Sequence, residues 1–327
     1  MDIPMLERDA LSVSNIPQEN PFRPLITMLR EMNYRFTTVT PASHARVNRR
    51  PGNEWAQDLQ GILGWSRPFQ QHVVSPQMFE AMQVADILEA HGDGWRSRIR
   101  VSTLGDQLFI HSAYPTNEAD AVFFGPDTYR FANAIEAQLR FETGQIRRAV
   151  DIGSGAGPGA ILVALARPDA EVLAVDINEA ALRLTRINAE LAEAGNVKAC
   201  YSNLLDAVEG QFDLIVANPP YLVDPSERAY RHGGGPLGAG LSLAILDTAL
   251  ERLASGGTLL LYTGVAMIQG SDPFLEAVQA RLANTNTVWR YREIDPDVFG
   301  EELDSGVYAQ ADRIAAVVLT VTQSESL

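Results

Sequence analysis

The chain of 327 residues carries 26 Lys and Arg against 41 Asp and Glu, and this formal net charge of −15 argues against broad, non-specific adhesion to nucleic acid. Its 46% hydrophobic and 20% charged residues are typical of a globular protein, yet no apolar run approaches the ~18 residues of a membrane span. A single cysteine excludes an internal disulfide framework, and the N-terminus has no basic flank before an apolar block, so a cytoplasmic location with no membrane partner is expected.

Residues 1–118 are predicted to form a smaller, mostly helical domain with a β-hairpin. The first 20 residues are polar and are expected to be loosely ordered. Apolar side chains recur at helical spacing within 21–32, which predicts a short helix. A stretch rich in Pro, Arg and Asn at 41–54 indicates a loop that follows this helix.

A second helix is predicted from Ser75, a plausible N-cap, to Gly92. Two strand patterns flank Leu104-Gly105-Asp106 and predict a hairpin. Arginine is concentrated in this part of the chain, in the runs Arg46–Arg50 and Arg96–Arg100. Such runs form either a solvated face or a contact with an anionic partner, and this domain is expected to recognise the substrate.

Residues 119–327 show strand patterns that alternate with helical ones, which is typical of an α/β domain with a parallel sheet covered on both faces. The predicted strands are 147–153, 170–177, 196–203, 212–219 and 256–264, with helices at 180–194 and 242–254. Two further strands, 288–295 and 313–322, are joined by a loop without helical pattern and should close the sheet as an antiparallel pair.

A glycine-rich turn, VDIGSGAGPGA, follows the first of these strands and precedes a helix. Glycine permits a tight turn and lets the backbone approach a ligand at the helix N-terminus. A dinucleotide fingerprint is an alternative, but counting from Gly153 its third glycine position is Pro158. Counting from Gly155 gives GxGxxA, which ends at Ala160 and is tolerated by that fingerprint.

The second strand ends at Asp176, where a carboxylate can accept hydrogen bonds from both hydroxyls of a ribose. The alternative is a helix cap, because Asp176 and Asn178 precede the helix that starts near Glu179.

The fourth strand stops on Asn218-Pro219-Pro220-Tyr221, because two prolines cannot continue a strand or a helix. The Asn218 side-chain oxygen and the Pro219 carbonyl are rigidly placed acceptors for the two hydrogens of a planar NH2 group. Tyr221 can stack on that group, so these four residues are the predicted catalytic set. The alternative is a proline-terminated strand that leads into a surface loop.

Together, the D-x-G-x-G-x-G turn, the strand-ending aspartate and NPPY resemble class I S-adenosylmethionine (SAM) dependent methyltransferases over about residues 120–327. The resemblance implies a seven-stranded Rossmann-like sheet and SAM as cofactor. It implies that the turn wraps the methionine moiety, Asp176 takes the ribose and Ile177 flanks the adenine. The implied cofactor-binding residues are Asp151, Gly153, Ser154, Gly155, Ala156, Gly157, Asp176, Ile177, Asn203, Leu204 and Asn218.

Upstream, VFFGPDTYRFA resembles the P-x-P-x-T-E segment of release-factor glutamine methyltransferases, the PrmC/HemK group. Gly125 stands where that group has Arg, and Tyr129 where it has Glu. Pro126, Asp127 and Thr128 are in register with that segment. The resemblance implies that Phe124–Tyr129 lines the cofactor entrance, with Phe124, Pro126 and Thr128 as cofactor-binding residues; a plain helix cap at Asp127 and Thr128 is the alternative.

The predicted activity is therefore N-methylation of an exocyclic amino or amide nitrogen on a macromolecular substrate. The arginine runs favour a base of RNA or DNA; the alternative is a protein glutamine, and a further one is an inactive SAM-binding scaffold. No metal is expected, since the five histidines include no close pair. A monomer is expected, and the glycine-rich loop 230–243 is expected to close over the substrate, with His232 as a loop contact.

Overall fold

A computed structural model describes residues 20–116, 118–141, 144–224, 230–304 and 306–324. The expectation of a loosely ordered N-terminus falls on residues 1–19 and therefore lies outside the described residues.

Four helices open the described chain: α1 (Arg23–Glu31), α2 (Pro41–Asn48), α3 (Leu59–Leu63) and α4 (Pro76–Val84). The helix predicted within 21–32 is confirmed as α1. The loop predicted at 41–54 is wrong over its first half, where α2 forms. The Thr40 hydroxyl accepts a hydrogen bond from the Ser43 amide at 3.2 Å and so caps the helix N-terminus, and Pro41 suits the first turn. These two features allow a helix to begin here.

Two hairpins follow, formed by β1 (Leu88–His91) with β2 (Gly94–Ser97) and by β3 (Ile99–Leu104) with β4 (Gln107–Ser112). The second is the predicted hairpin. The helix predicted from Ser75 to Gly92 is correct at its start, where the Ser75 hydroxyl accepts from the Met78 amide at 3.1 Å, but it ends at Val84. Asp86 has a φ of 52°, which breaks the helix and lets the next residues pair as β1.

The remaining chain forms the sheet and its helices. Its elements are α5 (Pro126–Phe141), β5 (Arg148–Ile152), α6 (Pro158–Ala166), β6 (Glu171–Asp176), α7 (Glu179–Leu191), β7 (Val197–Tyr201), β8 (Phe212–Ala217), α8 (Gly240–Arg252), β9 (Leu253–Met267), α9 (Pro273–Leu282), β10 (Thr287–Asp295) and β11 (Arg313–Gln323). The seven strands lie in the order β10-β11-β9-β8-β5-β6-β7. Neighbours from β9 to β7 are parallel, and β11 is antiparallel to both β9 and β10. The predicted fold class and the antiparallel closing pair are confirmed; α5 and α9 were not predicted.

The sheet is buried on both faces, and β8 shows why the sequences of the parallel strands are continuously apolar. Leu214 and Val216 pack into one hydrophobic cluster, whereas Ile215 and Ala217 pack into another. Since β5 lies between β6 and β8, the loops that follow these three parallel strands meet at one edge. The glycine turn is therefore held between Asp176 and Asn218, and this edge is the expected place for a ligand.

The N-terminal part packs directly on α7. The Asn188 side chain donates to the Ile110 carbonyl and accepts from the Ile110 amide, both at 2.9 Å, and Arg23 pairs with Glu190 at 2.7 Å. The division into domains between residues 118 and 119 stays a prediction. Among the described helices, none has the length and apolar character needed to cross a membrane.

Candidate active site

A cavity of about 210 Å³ lies at the carboxyl ends of β5, β6 and β8. The structure brings most of the predicted site residues to its wall, namely Thr128, Asp151, Gly153, Ser154, Gly155, Ala156, Asp176, Ile177, Asn203, Leu204, Asn218, Pro219, Pro220 and Tyr221. Three predicted residues do not line it: Phe124, Pro126 and Gly157. The wall also includes Asp127, from the segment that was expected to line the cofactor entrance, and three residues that were not singled out, Phe123, Tyr230 and Phe299.

The glycine turn adopts the left-handed conformations that its composition requires, with φ of 74° at Gly153 and 56° at Gly155. Gly157 also has a positive φ, 86°, but a Cβ there would lie 3.1 Å from the Thr185 side chain. Gly157 therefore serves close packing of α6 on α7, while the residues before it face the cavity.

Asp176 joins the turn to the second strand. One carboxylate oxygen accepts from the Gly155 amide and the other from the Asn178 amide, both at 2.9 Å. The Asn178 side chain accepts from the Ala180 amide and so supplies the N-cap of α7, the alternative role considered for Asp176. Each Asp176 oxygen retains a lone pair for ligand hydroxyls.

Asp151 lies beneath the turn and is buried. Its carboxylate accepts from the Ala160 amide at 2.9 Å, and a Cβ on Gly159 would come within 2.6 Å of it. Burial raises the pKa of Asp151 to about 7, against the opposing effect of the Ala160 hydrogen bond.

This raised pKa predicts a dependence of stability on pH. Between about pH 4 and pH 7 the folded state holds a proton on Asp151 that the unfolded state has released, so the free energy of unfolding should fall as pH rises through this window, by up to about 1.4 kcal/mol per unit. Urea unfolding of the unliganded protein and of Asp151→Asn at pH 5 and pH 7 measures it. We expect the variant to lose part of the pH slope; equal slopes would contradict the assignment to Asp151.

The Asn218 carboxamide is half-buried on the cavity wall and forms no hydrogen bond with any described residue. The Asn196 side chain differs in this respect, since its amide donates to the Ala170 carbonyl at 3.0 Å. No described residue donates to the Pro219 carbonyl either. Two acceptors held by a proline-proline segment thus remain available at the cavity.

The ring of Tyr221 also lines the cavity, and its hydroxyl donates at 2.7 Å to the carboxylate of Asp127, another lining residue. The ring lies directly on Gly264, where a Cβ would be 2.1 Å from a ring carbon. Asp127 belongs to the segment that was expected to line the cofactor entrance, but its hydrogen bond with Tyr221 was not predicted, because the two residues are far apart in the chain.

The glycine-rich loop after residue 230 packs against the backbone of the NPPY segment. A Cβ on Gly238 would lie 2.1 Å from the Tyr221 carbonyl, and one on Gly233 would lie 2.7 Å from the Pro220 carbonyl. These glycines permit a close approach that holds the segment in place. Closure of the loop over a substrate stays a prediction, whereas His232 is a loop contact, since its Nδ1 accepts from the Asp224 amide at 3.2 Å.

The segment before α5 places its aromatic residues differently from the prediction. Phe124 is fully buried and stacks on His111, with ring centroids 4.9 Å apart, because it belongs to the core next to β4. Phe123, one position earlier on the chain, faces the cavity instead. Pro126 begins α5, and the Thr128 hydroxyl accepts from the Gly125 amide at 3.2 Å, which is the capping contact considered as the alternative.

Aromatic rings surround the end of the cavity near NPPY. Phe123 and Tyr230 are almost parallel, at 9°, with centroids 6.4 Å apart, and Phe299 meets Tyr221 edge-on at 5.8 Å. Arg231 is the only arginine or lysine among the described lining residues, and it is paired with Glu302.

Residues 132–278 match the family model of the methyltransferase small domain. Over 199 residues the chain is 34% identical to the release factor glutamine methyltransferase of Deinococcus radiodurans, covering 57% of this chain and 66% of that protein. It is 32% identical over 188 residues to the enzyme of the same name from Lactococcus lactis, covering 54% and 65%. It is 38% identical over 132 residues to the ribosomal protein uL3 glutamine methyltransferase of Bordetella pertussis, covering 37% and 44%. The chain therefore spans less than two thirds of each of these relatives.

Proposed function

This chain belongs to the class I SAM-dependent methyltransferases, and from that premise we propose that it methylates the side-chain amide nitrogen of a glutamine in a protein. The observation that carries the proposal is a pair of acceptors to which no described residue donates, the Asn218 carboxamide oxygen and the Pro219 carbonyl. Both belong to residues that line the same cavity as the glycine turn and Asp176.

The residues at the end of the cavity near the glycine turn are suited to bind SAM. Asp176 offers a carboxylate at the ribose position, and Ile177 and Leu204 supply apolar contact for the adenine. Asn203 is exposed at the same end, where its carboxamide oxygen can accept from the adenine amino group. When bound, SAM supplies an electrophilic methyl group on a sulfonium.

The NPPY residues prepare the nitrogen. An amide nitrogen is a poor nucleophile because its lone pair is delocalised into the carbonyl group. Acceptors at Asn218 and Pro219 hold both of its hydrogens, favour a more pyramidal nitrogen and direct the lone pair along the line of attack. Catalysis then rests on orientation and fixed hydrogen bonds, and the methylated nitrogen releases its proton to water.

A protein acceptor is favoured over a nucleic-acid base, the reverse of the order that the arginine runs suggested. None of Arg46–Arg50 or Arg96–Arg100 lines the cavity. At the acceptor end Arg231 is neutralised by Glu302, and Phe299 is followed by the acidic segment Gly300–Asp304. A phosphate backbone would be repelled there. The named relatives act on release factors and on ribosomal protein uL3, so a protein of the translation apparatus is the preferred acceptor.

Incubation with methyl-labelled SAM and a cell extract tests the proposal. We expect label in a polypeptide, with the added methyl located on a glutamine by peptide mass spectrometry, and much slower labelling when Asn218→Ala replaces the natural protein. If ribonuclease or deoxyribonuclease releases the label, the acceptor is a nucleic-acid base and the proposal of a protein acceptor is wrong. SAM binding without label in any fraction would favour the inactive scaffold. The cytoplasmic location and the monomeric state stay predictions.

A further inference from the structure

Asp127 belongs to the cavity wall beside Tyr221 and is almost completely buried. One carboxylate oxygen accepts from the Tyr221 hydroxyl at 2.7 Å. The other accepts from the Tyr262 hydroxyl at 2.5 Å and lies 3.1 Å from the Arg130 guanidinium. Arg130 in turn contacts Asp295 at 2.6 Å. One carboxylate thus connects the NPPY segment with α5 and β9, and through Arg130 with the end of β10.

The ring of Tyr221 is constrained on several sides by this arrangement. Its underside rests on Gly264, its edge meets Phe299, and its hydroxyl is tied to Asp127. The part of the ring left uncovered faces the cavity. A sideways shift or a tilt of the ring would lengthen the hydrogen bond between the hydroxyl and the carboxylate.

We infer that Asp127 is a positioning residue for methyl transfer: it sets the plane and height of the Tyr221 ring against which the planar acceptor amide stacks. The inference rests on the proposed function. If the ring shifts, the acceptor nitrogen no longer lies between the Asn218 oxygen and the methyl group. A displacement of about 1 Å in such a geometry can cost a hundredfold in rate.

Asp127 accepts three hydrogen bonds at a buried position. Burial raises the pKa of Asp127, and the hydrogen bonds from Tyr262, Tyr221 and Arg130 lower it without cancelling that rise. The Arg130 guanidinium is a charged donor, and its contact strengthens the hold of the network on the carboxyl group.

Asp127→Asn and Tyr221→Phe, made singly and together, test the inference. Each is expected to lower kcat about tenfold while the Kd for SAM changes less than about twofold. Because both break the same bond, the double variant should be no slower than the slower single one. Multiplied effects, or an Asp127→Asn enzyme with the natural kcat, would overturn the inference.

The fold offers a matched control, because Tyr291 donates to Asp272 at 2.5 Å in an equivalent tyrosine–aspartate pair that does not line the cavity. Tyr291→Phe should leave kcat unchanged. If it lowers kcat as much as Tyr221→Phe does, the effect is one of general stability and the inference fails.

A second measurement needs no acceptor. In protein labelled with ¹³C at the tyrosine hydroxyl carbon, the Tyr221 signal is identified by its loss in Tyr221→Phe. We expect that signal to shift in Asp127→Asn, and an unshifted signal would show that the carboxylate does not hold the ring. A wild-type protein that methylates no polypeptide would instead contradict the proposed function. Failure of the inference about Asp127 and failure of the proposed function can therefore be distinguished.

Discussion

Replacement of Asn218 with alanine should lower kcat for methyl transfer by about 10²- to 10³-fold, the usual cost of losing one preorganised hydrogen-bonding group at a reacting centre. The carboxamide has no other partner among the described residues, so its removal breaks no internal contact and should not unfold the protein. Steady-state kinetics with the acceptor polypeptide, together with calorimetry for SAM, measure the effect. The Kd for SAM should change less than about threefold.

Asn203→Ala is the control for this prediction, because Asn203 also presents a carboxamide to the cavity but from its cofactor end. That variant should weaken SAM binding modestly and leave kcat near the natural value. A natural kcat for Asn218→Ala, or a loss confined to SAM affinity, would show that Asn218 does not hold the acceptor nitrogen, and the proposed mechanism would fail.

Asp176→Ala should raise the Kd for SAM by about 10²-fold, since hydrogen bonds to a charged group contribute about 1.5–3 kcal/mol each. The change removes the acceptors at the ribose position and also releases the Gly155 and Asn178 amides, which loosens the turn. Calorimetric titration with SAM measures it directly and needs no acceptor.

Asp213 provides the matched comparison. Its carboxylate likewise accepts from two backbone amides, those of Arg147 and Arg148, at 2.8 and 2.9 Å, but it does not line the cavity. Asp213→Ala should reduce stability and leave the Kd for SAM unchanged. Equal weakening in both variants would mean that Asp176 acts only through the fold.

Much of the fold was predictable because its signals are local. Strands buried on both faces are short apolar runs, and the helices between them show a 3.6-residue period. The misplaced end of α4 has a cause that the local sequence does not show. Leu88–His91 has helix-compatible residues, yet it forms a strand because Gly94–Ser97 pairs with it. Pairing is a tertiary contact that overrides a weak propensity.

The strands of the sheet, the glycine turn, the strand-ending Asp176 and the NPPY segment could be predicted from the chain alone, because each depends on residues within a few positions of one another. The side chains that support and surround them became known only from the folded protein. Asp127 is separated from Tyr221 by 94 positions and from Tyr262 by 135, so no spacing in the chain connects them. Phe123 rather than Phe124 faces the cavity for the same reason, since packing against His111 selects which of two adjacent rings is buried.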